Sequence, residues 1–224
     1  TKGRREYGPA GSAKARFTGA RSDVKFGGYE LFSTAHPKTT ADGQATVNYF
    51  LEAGITTNTA LVVKVNSDLE RSIVGRVPLG FGQIPYVHEI SLAGDKYAVL
   101  CIFPLTANPS KMANGKGFLP QLEWKSEEQG GRTLIHVFDL EAVGKSYEQG
   151  QKRPDLAPIA SYEGPPQFAY HHVNSYINGE TNQLVLDLSA YNTPDIISGE
   201  GAFAYIDVVT DATRRRKVMA KAAE

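Results

Sequence analysis

Residues 86–105 read YVHEISLAGDKYAVLCIFPL, and this stretch decides the fold class. Tyr86–Leu92 and Lys96–Leu105 are rich in aliphatic and aromatic residues, which favours two β-strands. Gly94 and Asp95 lie between them and are typical of a tight turn, because such turns need positive φ angles that glycine adopts easily. No helical spacing of 3.6 residues competes with this pattern, so the stretch predicts a β-hairpin.

The same pattern of short strands and turns continues along most of the chain. Pairs such as Asp42-Gly43 and Asn178-Gly179 mark turns between the strands. The other predicted strands are Tyr29–Ala35, Ala45–Glu52, Ala60–Asn66, Ser72–Val77, Arg132–Asp139, Phe168–Tyr176, Gln183–Ser189 and Ala204–Val209. These strands predict an all-β protein, which is a sandwich, a barrel or a propeller, and no internal repeat decides among the three.

Four stretches depart from this pattern. Residues 108–124 and 144–166 are rich in Gly, Pro or polar residues and predict long loops. Residues 1–25 contain seven basic and two acidic residues without a helix or strand period, which predicts a mobile basic arm. Residues 211–224 predict a basic tail or a short C-terminal helix, so that residues 26–210 remain as the predicted folded domain.

Composition excludes several classes of protein. The 24 basic and 24 acidic residues balance, whereas a general nucleic-acid binder usually has a large basic excess. A single cysteine, Cys101, excludes an internal disulfide framework and a zinc ribbon. The longest apolar run, Tyr97–Leu105, is too short for a transmembrane segment. Cysteine usage is compatible with a cytoplasmic or a plastid location.

Histidine is the residue type on which a metal site would depend. The chain has no HExxH, CxxC or GxSxG motif, and its five histidines are His36, His88, His136, His171 and His172. His36 precedes Pro37, which favours extended backbone at a strand end, and His88 lies in a predicted strand. His171 and His172 are neighbours on a strand and face opposite sides, so at most one can point to a shared centre. Five unrelated histidines remain the alternative to a metal site.

Three of the histidine segments, taken together, resemble the carotenoid cleavage oxygenases. These segments are STAHPKTTADGQATVNYF at 33–50, YVHEISLAGDKYAVLCIFPL at 86–105 and FAYHHVNSY at 168–176. LEWKSEEQGGRTLIHVFDL at 122–140 is similar to the segment that precedes the third histidine in that family. Each motif is weak alone, but all occur in the family's order over most of the chain.

The resemblance implies part of a seven-bladed β-propeller, of which this chain would supply several blades, with Fe2+ on its axis. It implies that His36, His88 and His171 are metal ligands and that no other side chain is catalytic. His172 is then structural and His136 is not a ligand. The family's fourth histidine and its orienting glutamates are expected outside the matched segments, so the chain is expected to be an internal portion of a longer protein.

The function that the resemblance implies is that of a non-haem Fe(II)-dependent dioxygenase. Such an enzyme cleaves a conjugated C=C bond of a carotenoid, apocarotenoid or stilbene with O2 and gives two carbonyl products. Its partners are the apolar polyene or stilbene and O2, with peripheral membrane contact for the full-length protein and no nucleic acid. The alternatives are a catalytically inactive propeller fragment that binds an apolar ligand or partner, and an unrelated β-sandwich with scattered histidines. The sequence does not separate cleavage from isomerisation.

Overall fold

The computed structural model of the protein describes residues 29–53, 57–108, 122–141, 156–198 and 216. These residues form fourteen strands and one short helix, which confirms the mostly-β prediction. The elements are β1 Tyr29–Ser33, β2 Lys38–Thr39, β3 Ala45–Ala53, β4 Thr59–Asn66, β5 Arg71–Pro78, β6 Ile84–Pro85, β7 Ser91–Ala93, β8 Tyr97–Ile102, β9 Leu105–Ala107, β10 Leu122–Trp124, β11 Thr133–Asp139, β12 Ala160–Gly164, β13 Phe168–Ile177, β14 Leu184–Tyr191 and α1 Asp195–Ser198. The predicted basic arm, the predicted strand Ala204–Val209 and nearly all of the predicted tail lie outside the described residues.

The strands form four antiparallel sheets, and no sheet closes on itself within the described ranges. The first sheet has the order β1-β3-β4-β5, with β2 paired to β3. The second is β10-β9-β6, the third is β12-β11-β8-β7, and the fourth is the hairpin β13-β14. Alternating burial along β3 shows that one face of the first sheet packs against the core. Val47, Tyr49 and Leu51 of β3 are buried, while the residues between them are only partly buried.

The predicted strand Lys96–Leu105 is two strands in the structure. β8 pairs with β7 and β11, whereas β9 pairs with β6 and β10 in a different sheet. Phe103 and Pro104 lie at the break. Proline has no amide hydrogen to donate to a ladder and restricts the residue before it, so the chain leaves one sheet here and enters another.

Two other predictions need correction. The predicted loops at 108–124 and 144–166 contain strands β10 and β12, each of which adds an outer strand to a sheet that is already formed. The predicted strand Tyr86–Leu92 shortens to β7, and residues 86–88 have no ladder partner. Propensity is a weak guide at both places, because pairing with distant strands decides which extended residues become ladder residues.

One hydrophobic core joins the sheets. It includes the fully buried Leu51 of β3, Leu100 of β8 and Phe168 of β13. Gly75 of β5 lies so close to the Phe138 ring of β11 that a Cβ atom at position 75 would overlap the ring. The first and third sheets therefore meet at a contact that only glycine permits, and the edge of the fourth sheet packs against β7.

Candidate metal centre

His36 lies in the short connection between β1 and β2 rather than in a ladder. Its backbone forms an isolated parallel bridge with Glu89, the residue after His88. Pro37 follows it and favours the extended backbone that this bridge needs. The bridge brings the first and second histidine segments side by side, although the residues that it joins are far apart in sequence.

His88 lies in the extended residues between β6 and β7, which corrects its predicted position on a strand. Its Nε2 atom is 3.1 Å from Nε2 of His36. Its Nδ1 atom is 3.1 Å from the hydroxyl oxygen of Tyr86. The imidazole is thus held on one side by a phenol and presents its other nitrogen to His36.

His171 lies at an irregularity in β13. Ala169 pairs with Ala190 and His172 pairs with Leu188, so Tyr170 and His171 together face the single residue Ser189. Such a bulge changes the direction of side chains and often occurs next to functional sites. Here both bulge residues turn towards His88: its ring centroid is 5.1 Å from that of His171 and 5.1 Å from that of Tyr170.

The structure brings His36, His88 and His171 together. One ring nitrogen of each lies within 4.8 Å of the other two, and this trio is the group of potential metal ligands found among the described residues. The ring centroids of His36 and His171 are 5.0 Å apart. His36 and His88 are partly buried, whereas His171 is exposed.

The other two histidines lie outside this trio. His172 is buried and faces away from it, with Nδ1 2.5 Å from the Ser91 hydroxyl. His136 is buried on β11 and its Nδ1 is 2.9 Å from the Ser161 hydroxyl. Burial lowers the pKa of both rings, to about 4 for His172, so each remains neutral at physiological pH.

Electrostatics within the trio favour the neutral form of His88. Burial lowers the pKa of His88, and the neighbouring His36 and His171 lower it further because a second positive charge would be repelled. A neutral imidazole has a lone pair on one nitrogen, which is the form that binds metals. His88 can therefore offer a nitrogen donor near neutral pH.

Glu89 is the polar residue at the site that the sequence analysis missed, because the orienting glutamates were expected outside the matched segments. Its carboxylate is buried and accepts hydrogen bonds from the His172 amide at 2.8 Å and from Nδ1 of His171 at 3.2 Å, and it pairs with Lys38. Burial alone would raise the pKa of Glu89, but the bonds from Lys38 and the His172 amide hold it below its usual value. An acidic residue within the apolar stretch YVHEISL was the available signal.

Aromatic rings surround one side of His88. Phe168 lies 4.8 Å from Tyr170 and 5.8 Å from Tyr86, measured between ring centroids. Phe103 lies 5.7 Å from Phe168 on the core side. Burial raises the pKa of Tyr86 and raises that of Tyr170 to about 12, so both phenols stay neutral. The ring nitrogens of the trio thus border a largely uncharged, aromatic surface.

The donor types of the trio, and the spacing of two of its nitrogens, suit a first-row divalent metal. Two nitrogens that bind one ion at about 2.1 Å and at a right angle lie about 3 Å apart, and Nε2 of His36 and Nε2 of His88 are 3.1 Å apart. A hydrogen bond between the two rings also has this length. Such a bond does not account for the third imidazole, His171, which lies beside both rings. Three imidazoles without thiolate suit Fe2+, Cu2+ or Zn2+.

Comparisons with known proteins bear on the family. Solved structures similar to this chain include a glutamate-to-glutamine mutant of Synechocystis apocarotenoid oxygenase, with 16% identity, a TM-score of 0.48 and coverage of 72% of this chain and 30% of that one. A threonine-to-alanine mutant of the same enzyme has 15% identity and a TM-score of 0.48, with 71% and 30% coverage. An ACO/RPE65 chimera has 15% identity and a TM-score of 0.47, with 71% and 30% coverage.

This chain therefore spans about 30% of the length of those structures. Comparison with curated protein sequences gave no significant match. The family model described as retinal pigment epithelial membrane protein matches residues 1–219, which is nearly the whole chain. In agreement with the resemblance of the three histidine segments, the chain belongs to this family, the carotenoid oxygenase family.

Proposed function

We propose that the protein containing this chain is a non-haem Fe2+-dependent dioxygenase that cleaves a conjugated C=C bond of an apolar polyene or stilbene. The observation that carries the proposal is the convergence of His36, His88 and His171 within 4.8 Å, each from a different family-matched segment. The balanced reaction adds both atoms of O2 across the bond: R–CH=CH–R′ and O2 give R–CHO and OHC–R′.

In this proposal the three imidazoles hold the metal as neutral donors. Because imidazoles are neutral, no anionic ligand of the trio would offset the 2+ charge of the metal, and positions would remain for further ligands. When bound, Fe2+ supplies the redox chemistry that activates dioxygen. Tyr86 fixes the ring of His88 through its hydroxyl group, and no side chain of the trio needs to act as a general acid or base.

The aromatic surface beside His88 is proposed to bind the polyene. Tyr86 and Tyr170, which are partly buried, offer flat, uncharged faces that can pack against a conjugated chain, and the fully buried Phe168 packs behind them. Tyr170 and His171 share the bulge, so the ring that contacts substrate and the ring that holds metal are placed by the same backbone distortion. This surface would set which double bond lies beside the metal.

The chain is proposed to supply several blades of a seven-bladed propeller. Its four antiparallel sheets lie around one core, and the three ligand segments project from different sheets or connections. A fourth histidine ligand would come from another part of the protein. Among the described residues no helix is long and apolar enough to span a membrane.

The test uses the full-length protein. It is purified without oxygen, loaded with Fe2+, assayed for metal content and incubated with carotenoids, apocarotenoids and stilbenes under ¹⁸O2. We expect one iron per chain and two carbonyl products that each carry ¹⁸O. His88→Ala should lose iron and activity, whereas His136→Leu, which replaces a histidine outside the trio, should keep both.

Other outcomes identify the alternatives. Iron binding with a geometric isomer and no ¹⁸O in the product would show an isomerase. Polyene binding without any product would show a catalytically inactive protein. Iron content equal in wild type and His88→Ala would remove the basis of the proposal.

A further inference from the structure

We propose that Glu89 is a positioning residue, which orients His171 for metal binding and fixes the three ligand-bearing segments relative to one another. The inference rests on the proposed function, because it concerns the same three imidazoles. Glu89 is not one of the three grouped potential metal ligands. It would act through His171, and through the backbone on either side of it.

The carboxylate of Glu89 contacts both other ligand segments. Oε2 accepts a hydrogen bond from Nδ1 of His171 at 3.2 Å and another from the His172 amide at 2.8 Å. Oε1 pairs with Nζ of Lys38, two residues after His36. The Glu89 backbone also bridges His36 directly. One residue therefore touches the His36 segment, the His88 segment and the His171 segment.

Burial makes the hydrogen bonds and the ion pair of Glu89 important for its stability in the folded protein. The Glu89 side chain is only 5% exposed, so water has little access to its carboxylate. A buried carboxylate is costly unless it is paired and hydrogen-bonded, and here three donors satisfy its oxygens. The His172 amide is fixed by the backbone of β13, so it holds the carboxylate in place, and the carboxylate in turn restricts the rotation of the more exposed His171 ring.

The contact also selects the tautomer of His171. A carboxylate accepts but cannot donate, so Nδ1 of His171 must carry the proton. Nε2 is then the nitrogen with a free lone pair. Metal-binding histidines commonly donate their other N–H group to a carboxylate in this way, which fixes the ring and increases its basicity. Glu89 thus prepares Nε2 of His171 as a donor before any metal arrives.

The experiment uses ¹⁵N NMR on the histidine rings of the metal-free full-length protein. The His171 signals are assigned by their loss in His171→Asn. We expect the wild-type ring to carry its proton on Nδ1. In Glu89→Gln the side chain cannot accept from Lys38, His171 and the His172 amide together, so we expect a mixture of tautomers. Glu163→Gln, which changes an exposed glutamate of β12, serves as the matched control.

Metal affinity gives the second readout. Chelator competition with Fe2+ or Co2+ should show an affinity about 10- to 100-fold weaker in Glu89→Gln than in wild type and Glu163→Gln. Co2+ spectra should show one fewer nitrogen ligand in Glu89→Gln. If Glu89→Gln does not fold, the test uses the tautomer of wild-type His171 and the conservative variant Glu89→Asp. We expect Glu89→Asp to bind the metal with intermediate affinity.

The proposal is overturned if wild-type His171 carries its proton on Nε2. It is equally overturned if Glu89→Gln keeps both the tautomer and the affinity of wild type. A third outcome separates the two proposals. If wild-type protein binds no metal but shows the Nδ1 tautomer, and Glu89→Gln loses that tautomer, the proposed function is contradicted while the positioning role is supported. The two failures are therefore distinguishable.

Discussion

Nε2 of His36 lies 3.1 Å from Nε2 of His88, although the two residues are 52 positions apart in sequence. The parallel bridge between His36 and Glu89 produces this approach, because it aligns the backbones of the two segments. The bulge in β13 then places His171 against both rings. Two backbone irregularities, the bridge and the bulge, thus build one cluster of nitrogen donors, and neither is a regular part of a strand ladder.

Ser91→Ala should separate the structural role of His172 from metal binding. Both residues are buried, and the substitution leaves Nδ1 of His172 without the Ser91 hydroxyl. We expect the free energy of unfolding to fall by about 1–3 kcal/mol, while metal content per folded chain stays unchanged. Thermal unfolding and metal analysis check this, with the exposed Ser67→Ala as control. A loss of metal in folded Ser91→Ala would place His172 within the metal site.

Gly75→Ala should destabilise the contact between the first and third sheets. The added methyl group would overlap the Phe138 ring, and overpacking of this kind costs about 1–3 kcal/mol. Gly164→Ala is the matched control, since a Cβ at that strand position meets no atom within 4 Å. Chemical unfolding of both variants is the measurement.

A double variant sharpens this prediction. Phe138→Leu in the Gly75→Ala background should recover part of the lost stability, because the smaller side chain leaves room for the methyl group. Additive effects of the two substitutions would mean that Gly75 and Phe138 do not interact as the structure shows.

His136 should make stability depend on pH below about 6.5. Burial lowers its pKa in the folded protein, so the unfolded chain binds the proton more tightly. Its stabilising neutral form is fully present above the unfolded value, and its contribution decreases as the pH falls from about 6.5 towards the lower folded value. Wild type should therefore lose stability relative to His136→Leu between pH 7 and pH 5.

The buried ring also has an unpaired atom, since Nε2 of His136 makes no hydrogen bond within the described ranges. Leucine at this position removes that atom and the titration together. Unfolding by denaturant at several pH values measures the difference between the two proteins. A difference that stays constant from pH 7 to pH 5 would mean that the ring is not protected from protonation.

Cys101 should be unreactive in the native protein. It is fully buried in β8, and burial raises the pKa of its thiol to about 12, so almost no thiolate forms at pH 8. Alkylation with iodoacetamide followed by peptide mass spectrometry should find this thiol unmodified before denaturation and modified after it. Rapid native labelling would show that β8 opens readily.

Much of the sheet structure follows from local pattern. β3, β4 and β11 lie within one or two residues of their predicted bounds, because each combines apolar alternation with a clear turn at one end or both. The division at Pro104 was not predicted, although a proline inside an apolar run was the available signal. Strands β10 and β12 were not predicted, because their pairing with β9 and β11 decides them rather than their own composition.

The sequence by itself determined a mostly-β fold, the family and the three histidines worth considering, because strand patterns and turn residues are local properties of the chain and the order of the motifs can be read along it. Tertiary structure alone decided that these rings meet, that the bulge at Tyr170 and His171 turns two neighbours to one side, and that Glu89 reaches His171. The meeting of the rings and the contact of Glu89 depend on residues more than fifty positions apart, and the bulge depends on how β13 pairs with β14; the energy of these contacts comes from burial and pairing that no local spacing records.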